Sequence, residues 1–285
     1  ETIEAMCDEL ATTRSGKTVH NIYIRTKQIL NHAVRDKLIP INPALAAIPP
    51  RYEPADTIIL QPGQPAAAIH AAHDPKPRKR DTLHDDQDDH DMWALMFDLA
   101  FATGMRQAER FAITPSELVT RDGIHGIEVR WQLQQLKPDA TIPGWLQARH
   151  ITGNFWLIPP KTRQGIRFIP LDTRTWLRLL ELANKHQCAP DDLIFTRHGQ
   201  PLTGNVERRR WQRALQDAGL PPVTMRAARH FFSTHLAQTG APEDARKAIM
   251  GHAKITTTAR YTHWTPETLA ALADEAREAI GVGNE

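Results

Sequence analysis

A cluster of prolines divides this chain into two unequal parts. The cluster consists of Pro40, Pro43, Pro49, Pro50 and Pro54. Proline has no amide hydrogen and disfavours helical geometry in the residue before it, so no regular element continues through such a stretch. The sequence therefore predicts a small N-terminal domain over residues 1–50, a linker over 51–60 and a main domain over 61–285.

The N-terminal part has the pattern of a helical domain. Apolar residues recur at helical spacing over residues 17–37, while Arg25 and Lys27 lie on other faces of the same helix. Fifty residues are few for an independent domain of ordinary size. We therefore expect residues 1–50 to be the end of a small helical domain whose beginning lies outside this sequence.

The main part alternates between helical and strand patterns. A largely apolar run over residues 91–103 predicts a buried helix that ends at Gly104. Strand-like patches follow at 127–133, 154–158 and 166–171. Helical patterns then return at 173–186, 204–218, 225–238, 243–250 and 265–280. This order predicts an α+β fold, a mostly helical domain with a small antiparallel sheet.

Composition excludes several classes of protein. The longest apolar stretches are too short to span a bilayer, so no membrane association is expected. Cys7 and Cys188 lie far apart without metal-ligand spacing, which makes a reducing cytoplasm the expected compartment. The net charge of +2 permits a nucleic-acid partner without arguing for one, because such binding depends on local charge.

Residues suited to chemistry gather near the C-terminus. Residues 225–238 are predicted as a helix with Thr224 as its N-cap. On that helix Arg226, Arg229 and His230 project from one face near its start. Cations are poorly placed at the positive end of a helix unless an anion such as phosphate binds there. The apolar opposite side of the helix indicates that this basic face borders a site.

Three further residues complete this set. Arg106 directly follows the buried helix in the run T-G-M-R. His252 follows a glycine that ends a short helix, and Tyr261 is one of three tyrosines in the chain. Taken alone, the last two have ordinary explanations as a capped helix end and an anchoring ring. Together with forked guanidiniums that match phosphate oxygens, a phenol nucleophile points to phosphodiester chemistry.

Four segments together resemble the tyrosine recombinase (phage integrase) family. They are A-T-G-M-R-Q-A-E-R at 102–110, P-K-T-R-Q-G-I-R-F-I-P-L at 160–171, T-M-R-A-A-R-H at 224–230 and M-G-H-A-K-I-T-T-T-A-R-Y-T-H at 250–263. The segments occur in the family's order, and the last is the most specific. Residues 17–48, ending in I-N-P-A-L, resemble the close of that family's helical core-binding domain.

The resemblance implies a role for each matched residue. Arg106 and Arg229 would hold the non-bridging oxygens of the scissile phosphate. Lys161, on a β-hairpin in the minor groove, would protonate the leaving 5′ oxygen, and His252 would donate to a phosphate oxygen. Tyr261 would attack phosphorus to form a 3′-phosphotyrosyl link, which the 5′-hydroxyl of a second strand reseals without metal, cofactor or ATP.

One departure from the family pattern bears on the chemistry. Arg226 stands where histidine or lysine is usual, and a guanidinium stays protonated and cannot readily accept the Tyr261 proton. Gripping phosphate and a purely electrostatic role both stay open for Arg226.

Two alternative functions of the chain also stay open. They are a catalytically impaired DNA-binding protein of this fold, and a type IB topoisomerase-like or telomere-resolving enzyme. The N-P-A linker and the compact size disfavour the latter.

Further residues are expected to contact DNA. The basic run 206–213 shortly precedes the arginine pair, which favours phosphate contact over a merely solvated face. The expected DNA-binding residues are Arg208, Arg209, Arg210, Arg213, His230, Arg163, Arg25 and Lys27. The acidic stretch 84–91, with His84 and His90, is expected to be a solvated loop and not a metal site, because no ligand spacing is visible.

The resemblance also implies partners. They are double-stranded DNA attachment sites, three more copies of this chain in a tetramer on DNA, and accessory DNA-bending proteins. The free chain is expected to be a monomer, and the DNA-bound chain is expected at the bacterial nucleoid.

Residues 265–280 fit two alternatives equally, packing on their own domain or docking on a neighbouring protomer. The stretch 134–153 is longer than usual in the family and predicts an ordered hairpin or loop with Trp145 packed.

Overall fold

The computed structural model describes residues 2–53, 58–78, 83, 85–162, 165–251 and 264–281. The chain separates into two compact units, Glu1–Thr57 and Ile58–Glu285. Within the described ranges no helix is both long enough and apolar enough to cross a membrane.

The smaller unit is built on two helices and a short 3-10 turn. These elements are α1 (Ile3–Ala11), α2 (Gly16–Arg35) and the turn Pro43–Leu45. Both helices begin at a side-chain cap, since Thr2 and Ser15 each accept an amide hydrogen bond from the first turn. The Tyr23 hydroxyl donates to the carbonyl oxygen of Ala44 (2.9 Å), which ties α2 to the turn.

The larger unit is organised around one buried helix. It begins with α3 (Gln64–His73) and α4 (Gln87–Thr103), and α4 is buried along nearly its whole length. α4 begins at Gln87, earlier than the predicted residue 91, because Asp86 caps it and acidic side chains are favoured at a positive helix end. Gly104 ends α4 in the left-handed conformation (φ +59°).

A short helix and three small antiparallel sheets follow in the described part of the chain. The elements are α5 (Gln107–Arg110), a 3-10 turn at Pro115–Glu117, β1 (Leu118–Arg121), β2 (Ile124–Val129), β3 (Gln132–Gln135), β4 (Arg149–Thr152), β5 (Phe155–Ile158), β6 (Arg167–Pro170), β7 (Thr196–Arg197) and β8 (Gln200–Pro201). The first sheet has the order β1-β2-β6, the second β3-β5-β4, and β7 pairs with β8. The consecutive strands β5 and β6 therefore belong to different sheets.

The C-terminal helices complete the larger unit. They are α6 (Thr173–Lys185), α7 (Gly204–Asp217), α8 (Arg226–Gln238), α9 (Glu243–Met250) and α10 (Pro266–Glu278). Helices α8, α9 and α10 share a hydrophobic cluster that includes Phe232, Met250 and Ala273. Arg277 of α10 donates to the carbonyl oxygens of Ala102 and Pro170. Of the two alternatives for the last helix, the structure therefore shows packing on its own unit.

Candidate active site

Arg106 and Arg229 meet where α4 ends and α8 begins. Nη1 of Arg229 donates to the carbonyl oxygen of Gly104 (2.7 Å), two residues before Arg106. Gly104 is required there on two counts: its φ is positive, and a Cβ would lie 2.8 Å from the ring of Phe232. The turn after α4 thus delivers Arg106 to the first turn of α8.

Both guanidiniums also bond to the C-terminal end of α9. Nη2 of Arg229 donates to the carbonyl oxygen of Met250 (2.7 Å), and Nη2 of Arg106 donates to that of Gly251 (3.2 Å). Carbonyl groups at a helix C-terminus lack partners in their own helix and carry partial negative charge, which these cations compensate. Arg106 and Arg229, both predicted from the sequence as catalytic, are therefore bonded to the two residues that precede residue 252.

The buried carboxylate of Glu109 orients Arg106. Its Oε2 accepts the backbone N–H of Arg106 (2.9 Å), and its Oε1 accepts from Arg106 Nη1 (2.8 Å). Arg167 of β6 donates to the same two oxygens, at 2.9 Å to Oε2 and 3.2 Å to Oε1. Burial raises the pKa of the Glu109 carboxyl, but the charge of Arg167 and the hydrogen bonds from both arginines outweigh it and bring the pKa down to about 2.

The cluster carries excess positive charge. Burial, followed by the charges of Arg106, Arg167 and Arg226, lowers the pKa of Arg229 to about 10, and Glu109 opposes the shift. Among the described residues, the charges that act most on Arg229 are thus three guanidiniums and one carboxylate. A bound anion with several oxygens, such as a phosphate, is the ligand that relieves this repulsion.

The start of α8 differs in one respect from its prediction. α8 begins at Arg226, and Met225 precedes it with a helical backbone and no side-chain cap, so Thr224 is not the N-cap. Thr224 instead contributes its carbonyl oxygen, which accepts the Ala227 N–H (2.9 Å). Arg226 and His230 are exposed and Arg229 is half-buried, so the predicted basic face is present.

Lys161 lies outside this cluster of contacts. It is exposed in the connection from β5 to β6. Because those strands pair in different sheets, the connection is not a hairpin between neighbouring strands, and that prediction is wrong. Within that connection, the Gly165 N–H donates to the Thr162 carbonyl oxygen (2.9 Å). Within the described ranges, no contact joins Lys161 to Arg106 or Arg229.

Three predicted site residues fall outside the described residues. They are His252, Tyr261 and Arg163.

The basic run on α7 divides between two faces. Arg208 and Arg209 are exposed. Arg210 is buried, pairs with Asp85 and lies over the Trp93 ring at 5.8 Å from its centroid, so the prediction of DNA contact is wrong for it. The reason is helical periodicity, which turns residues 210 and 213 of α7 toward the core.

Arg213 and the acidic stretch are also bound within the larger unit. Only 10% of the Arg213 side chain is exposed, and its Nε lies 3.6 Å from Asp217, which leaves little of it for DNA. Asp88 pairs with Lys185, the last residue of α6, and with His186, which follows it. The stretch 84–91 is therefore not a solvated loop in its described residues, since opposite charges and the start of α4 hold it in place.

Two peripheral predictions have mixed outcomes. In the smaller unit Arg25 is exposed and Lys27 is half-buried, so both stay candidates for DNA contact.

The stretch 134–153 is ordered and supplies β4 to the second sheet. Trp145, predicted to be packed, is 81% exposed, because it lies in a turn closed by Leu146 N–H and the Pro143 carbonyl oxygen (2.9 Å).

Sequence reasoning missed Glu109 and Arg167. Each had a visible signal. Glu109 stands three residues after Arg106, the spacing at which a side chain reaches back to the amide at a helix start. Arg167 is a charged residue within an otherwise apolar strand, and arginine is rarely buried unless it is paired.

Comparison with protein families gives a match across most of the larger unit. A profile described as the phage integrase family matches residues 81–268, about two thirds of the chain. Tyrosine recombinase XerC 2 of Ralstonia nicotianae is 32% identical over 119 residues, which are 40% of this chain and 34% of that protein. Tyrosine recombinase XerC of Halalkalibacterium halodurans is 37% identical over 81 residues, 28% of this chain and 27% of that protein. The chain thus spans about a third or less of the length of these curated relatives.

Solved structures share the fold. The Tn1549 transposon integrase in complex with transposon right end DNA superposes with a TM-score of 0.67 at 22% identity, covering 95% of this chain and 83% of that one. The lambda integrase dimer bound to a COC′ core site gives a TM-score of 0.57 at 16% identity, covering 92% and 81%. At these identities the likeness establishes the fold, which does not by itself establish an activity.

Proposed function

Because this chain belongs to the phage integrase family, we propose that it is a site-specific DNA recombinase that cuts and rejoins DNA strands through a tyrosine. The observation that carries the proposal is the meeting of Arg106 and Arg229 at the end of α9. Their guanidiniums bond to Met250 and Gly251, which directly precede the segment 252–263 in sequence. That segment contains His252 and Tyr261. The phage integrase resemblance assigns those two residues to the same reaction.

In the proposed reaction the Tyr261 hydroxyl loses its proton to water as its oxygen attacks phosphorus, and the bond from phosphorus to the 5′ oxygen breaks. The leaving oxygen takes a proton, from Lys161 in the proposed assignment. Arg106, Arg229 and His252 compensate the charge that gathers on the phosphate oxygens in the transition state. The phosphotyrosyl bond conserves the energy of the phosphodiester, so a 5′-hydroxyl can reverse the step without ATP. The low pKa of Glu109 supports this scheme, because the anchor of Arg106 stays charged at neutral pH.

The residues on either side of the segment 252–263 support delivery of the tyrosine within its own protomer. Met250 lies in the hydrophobic cluster of α8, and Trp264, three residues beyond Tyr261 in sequence, packs against the same cluster. That cluster also contains Phe232, three residues from Arg229. Both flanks are thus anchored on the helix that carries a phosphate-binding arginine.

We assign Arg226 to phosphate binding and not to proton transfer. It is exposed in the first turn of α8, and its charge contributes to the lowered pKa of Arg229. An arginine there adds attraction for an anion, while a guanidinium stays protonated and so cannot accept the tyrosine proton.

The proposed partner is double-stranded DNA carrying attachment sites. Exposed Arg208, Arg209 and His230 in the larger unit support phosphate contact, as do Arg25 and Lys27 in the smaller one. The related Tn1549 and lambda integrases were solved bound to DNA, which supports the same partner class. Residues 1–50 would act as a core-binding domain and residues 61–285 as the catalytic domain. Assembly as a tetramer on DNA, accessory DNA-bending proteins and a place on the bacterial nucleoid complete the proposal.

A suicide substrate tests the proposed function. A duplex nicked near the cleavage position loses a short fragment after attack, so a covalent protein–DNA adduct accumulates and migrates slowly in denaturing gels. Candidate duplexes come from the junctions of the genomic element that encodes the chain. We expect an adduct with the unaltered chain and none with Tyr261→Phe.

Other outcomes of the suicide-substrate experiment would favour one of the alternative functions. Tight DNA binding without an adduct would favour a catalytically impaired DNA-binding protein. Adduct formation on any supercoiled DNA, with relaxation and no sequence preference, would favour a topoisomerase-like enzyme. An adduct that persists in Tyr261→Phe would exclude the tyrosine mechanism.

A further inference from the structure

We propose that Arg167 is a positioning residue for strand cleavage, which holds Arg106, the end of α9 and the connection that carries Lys161 in one fixed arrangement. This inference rests on the proposed recombinase function and adds a residue to it. Arg167 itself would touch neither the DNA nor the reacting atoms, because only 5% of its side chain is exposed.

The hydrogen bonds of Arg167 reach two distant segments and the connection directly before its own strand. Nη1 and Nη2 donate to the carboxylate of Glu109, which in turn holds Arg106. Nε donates to the carbonyl oxygen of Ile249 in the last turn of α9 (2.8 Å). Nη1 also donates to the carbonyl oxygen of Gly165 (3.0 Å), four residues after Lys161. Each segment carries, or leads into, one residue assigned to the reaction.

The contact with the end of α9 is unusually close. Gly251 has a left-handed backbone (φ +65°), and a Cβ there would lie 2.9 Å from Nη1 of Arg167 and 3.0 Å from Cζ. Any side chain at that position would push the guanidinium away or change the turn. Arg167 therefore constrains the backbone at the last described residue before His252, where Arg106 also donates.

The geometry requires an arginine and not simply a positive charge. Nε and both terminal nitrogens of Arg167 are engaged at once, in the directions of a planar fork. A lysine places its three donors on a single nitrogen, so it can bond to Glu109 or to Ile249 but cannot span both with Gly165. Arg167→Lys thus preserves the buried charge and removes the link between segments.

The test measures the rate and the affinity of Arg167→Lys separately. In single-turnover cleavage of the nicked substrate, we expect the rate to fall by about 10- to 100-fold, because misplacement of catalytic groups by an ångström costs on that order. We expect the Kd for uncleaved DNA to stay within about twofold and the protein to stay folded. A purely structural role would lower cleavage only in proportion to the loss of folded protein.

The matched control is Arg178→Lys. Arg178 of α6 also pairs with a largely buried carboxylate, since its Nη1 donates to Asp98 of α4 (3.1 Å), and it makes no contact with the cluster of Arg106 and Arg229 in the described ranges. We expect the cleavage rate of Arg178→Lys to stay within about twofold of the unaltered chain.

A second pair of measurements tests the route through Glu109. If Arg167 acts partly through that carboxylate, Arg167→Lys should reduce the rate less in a Glu109→Gln background than in the unaltered chain. Hydrogen exchange supplies a readout that needs no activity. The Gly251 amide, which donates to Lys247 in α9, should exchange faster in Arg167→Lys than in Arg178→Lys.

Three results would overturn the inference. They are a folded Arg167→Lys that cleaves at the unaltered rate, a loss of cleavage matched by equal losses of folding and DNA affinity, and unchanged exchange at Gly251. Should Arg167→Lys fail to fold, Glu109→Gln decides by the same criteria. If the unaltered chain forms no adduct, the proposed function fails, while the exchange experiment still reports whether Arg167 anchors α9.

Discussion

Glu109 and Glu117 occupy the same local motif with opposite results. Each is buried and accepts the backbone N–H of the residue three positions earlier, Arg106 (2.9 Å) and Thr114 (2.8 Å) respectively. Yet the pKa of Glu109 is lowered to about 2, whereas that of Glu117 is raised to about 7.

An arginine from a distant part of the chain accounts for the difference between the two pKa values. Burial raises the pKa of Glu117, and hydrogen bonds from Thr114 offset it only in part, because Arg149 and Arg130 act weakly on it. Around Glu109, Arg167 arrives from β6 and donates to both carboxylate oxygens. A local motif therefore sets where a carboxylate lies, but the surrounding fold decides whether it is an anchored anion or a neutral acid.

The largest expected effect is a loss of cleavage when an arginine near Glu109, but not one near Glu117, is replaced by alanine. Arg229→Ala removes a guanidinium from the charged cluster beside Glu109, and we expect single-turnover cleavage to fall by about 10²- to 10⁴-fold with the fold retained. Arg149→Ala removes one near Glu117, and we expect cleavage to stay within about twofold. Equal losses in the two variants would erase the distinction between the regions.

Glu109→Gln should have the next largest effect, on stability. It leaves Arg167 buried against a neutral partner, so we expect the free energy of unfolding at pH 7 to fall by about 3 kcal/mol, measured with urea. Because the folded pKa lies below the unfolded value of 4.5, the unaltered chain should lose this contribution as pH falls from about 4.5 toward 2. The variant should lack that part of the acid dependence.

Glu117→Gln should change pH dependence in the opposite direction. The folded pKa is about 7 and the unfolded value 4.5, so the contribution of Glu117 is complete below pH 4.5 and is lost as pH rises through 7. We expect Glu117→Gln to flatten the decline in unfolding free energy between pH 5 and 8 by about 1–3 kcal/mol. An unaltered slope would mean that Glu117 is ionised in the folded chain.

Arg226→His should have the smallest effect. Arg226 is exposed at the edge of the charged cluster, whereas Arg229 is half-buried within it. We expect the cleavage rate to change by less than about tenfold in either direction at low salt, since histidine loses one charge and gains the capacity to accept a proton. Complete inactivation would show that the guanidinium makes a specific contact.

Helices and the order of the segments could be predicted from the sequence, because both follow from local patterns. The apolar run of α4 predicted a buried helix that ends at Gly104, as the structure shows. Contacts between distant segments could not be predicted in the same way. The pairing of β5 and β6 in different sheets removed the hairpin expected around Lys161, and helical phase turned Arg210 into the core.

The sequence by itself determined the residue types and their family, since an arginine, a lysine, a second arginine, a histidine and a tyrosine in that order are recognisable without coordinates. Only the tertiary structure decided which charges meet. Glu109, Arg167 and Ile249 are far apart in the chain, and their contacts depend on how β6 and α9 pack beside α5. Hydrogen bonds and ion pairs act over a few ångströms, a separation that sequence spacing specifies within a helix but not between elements.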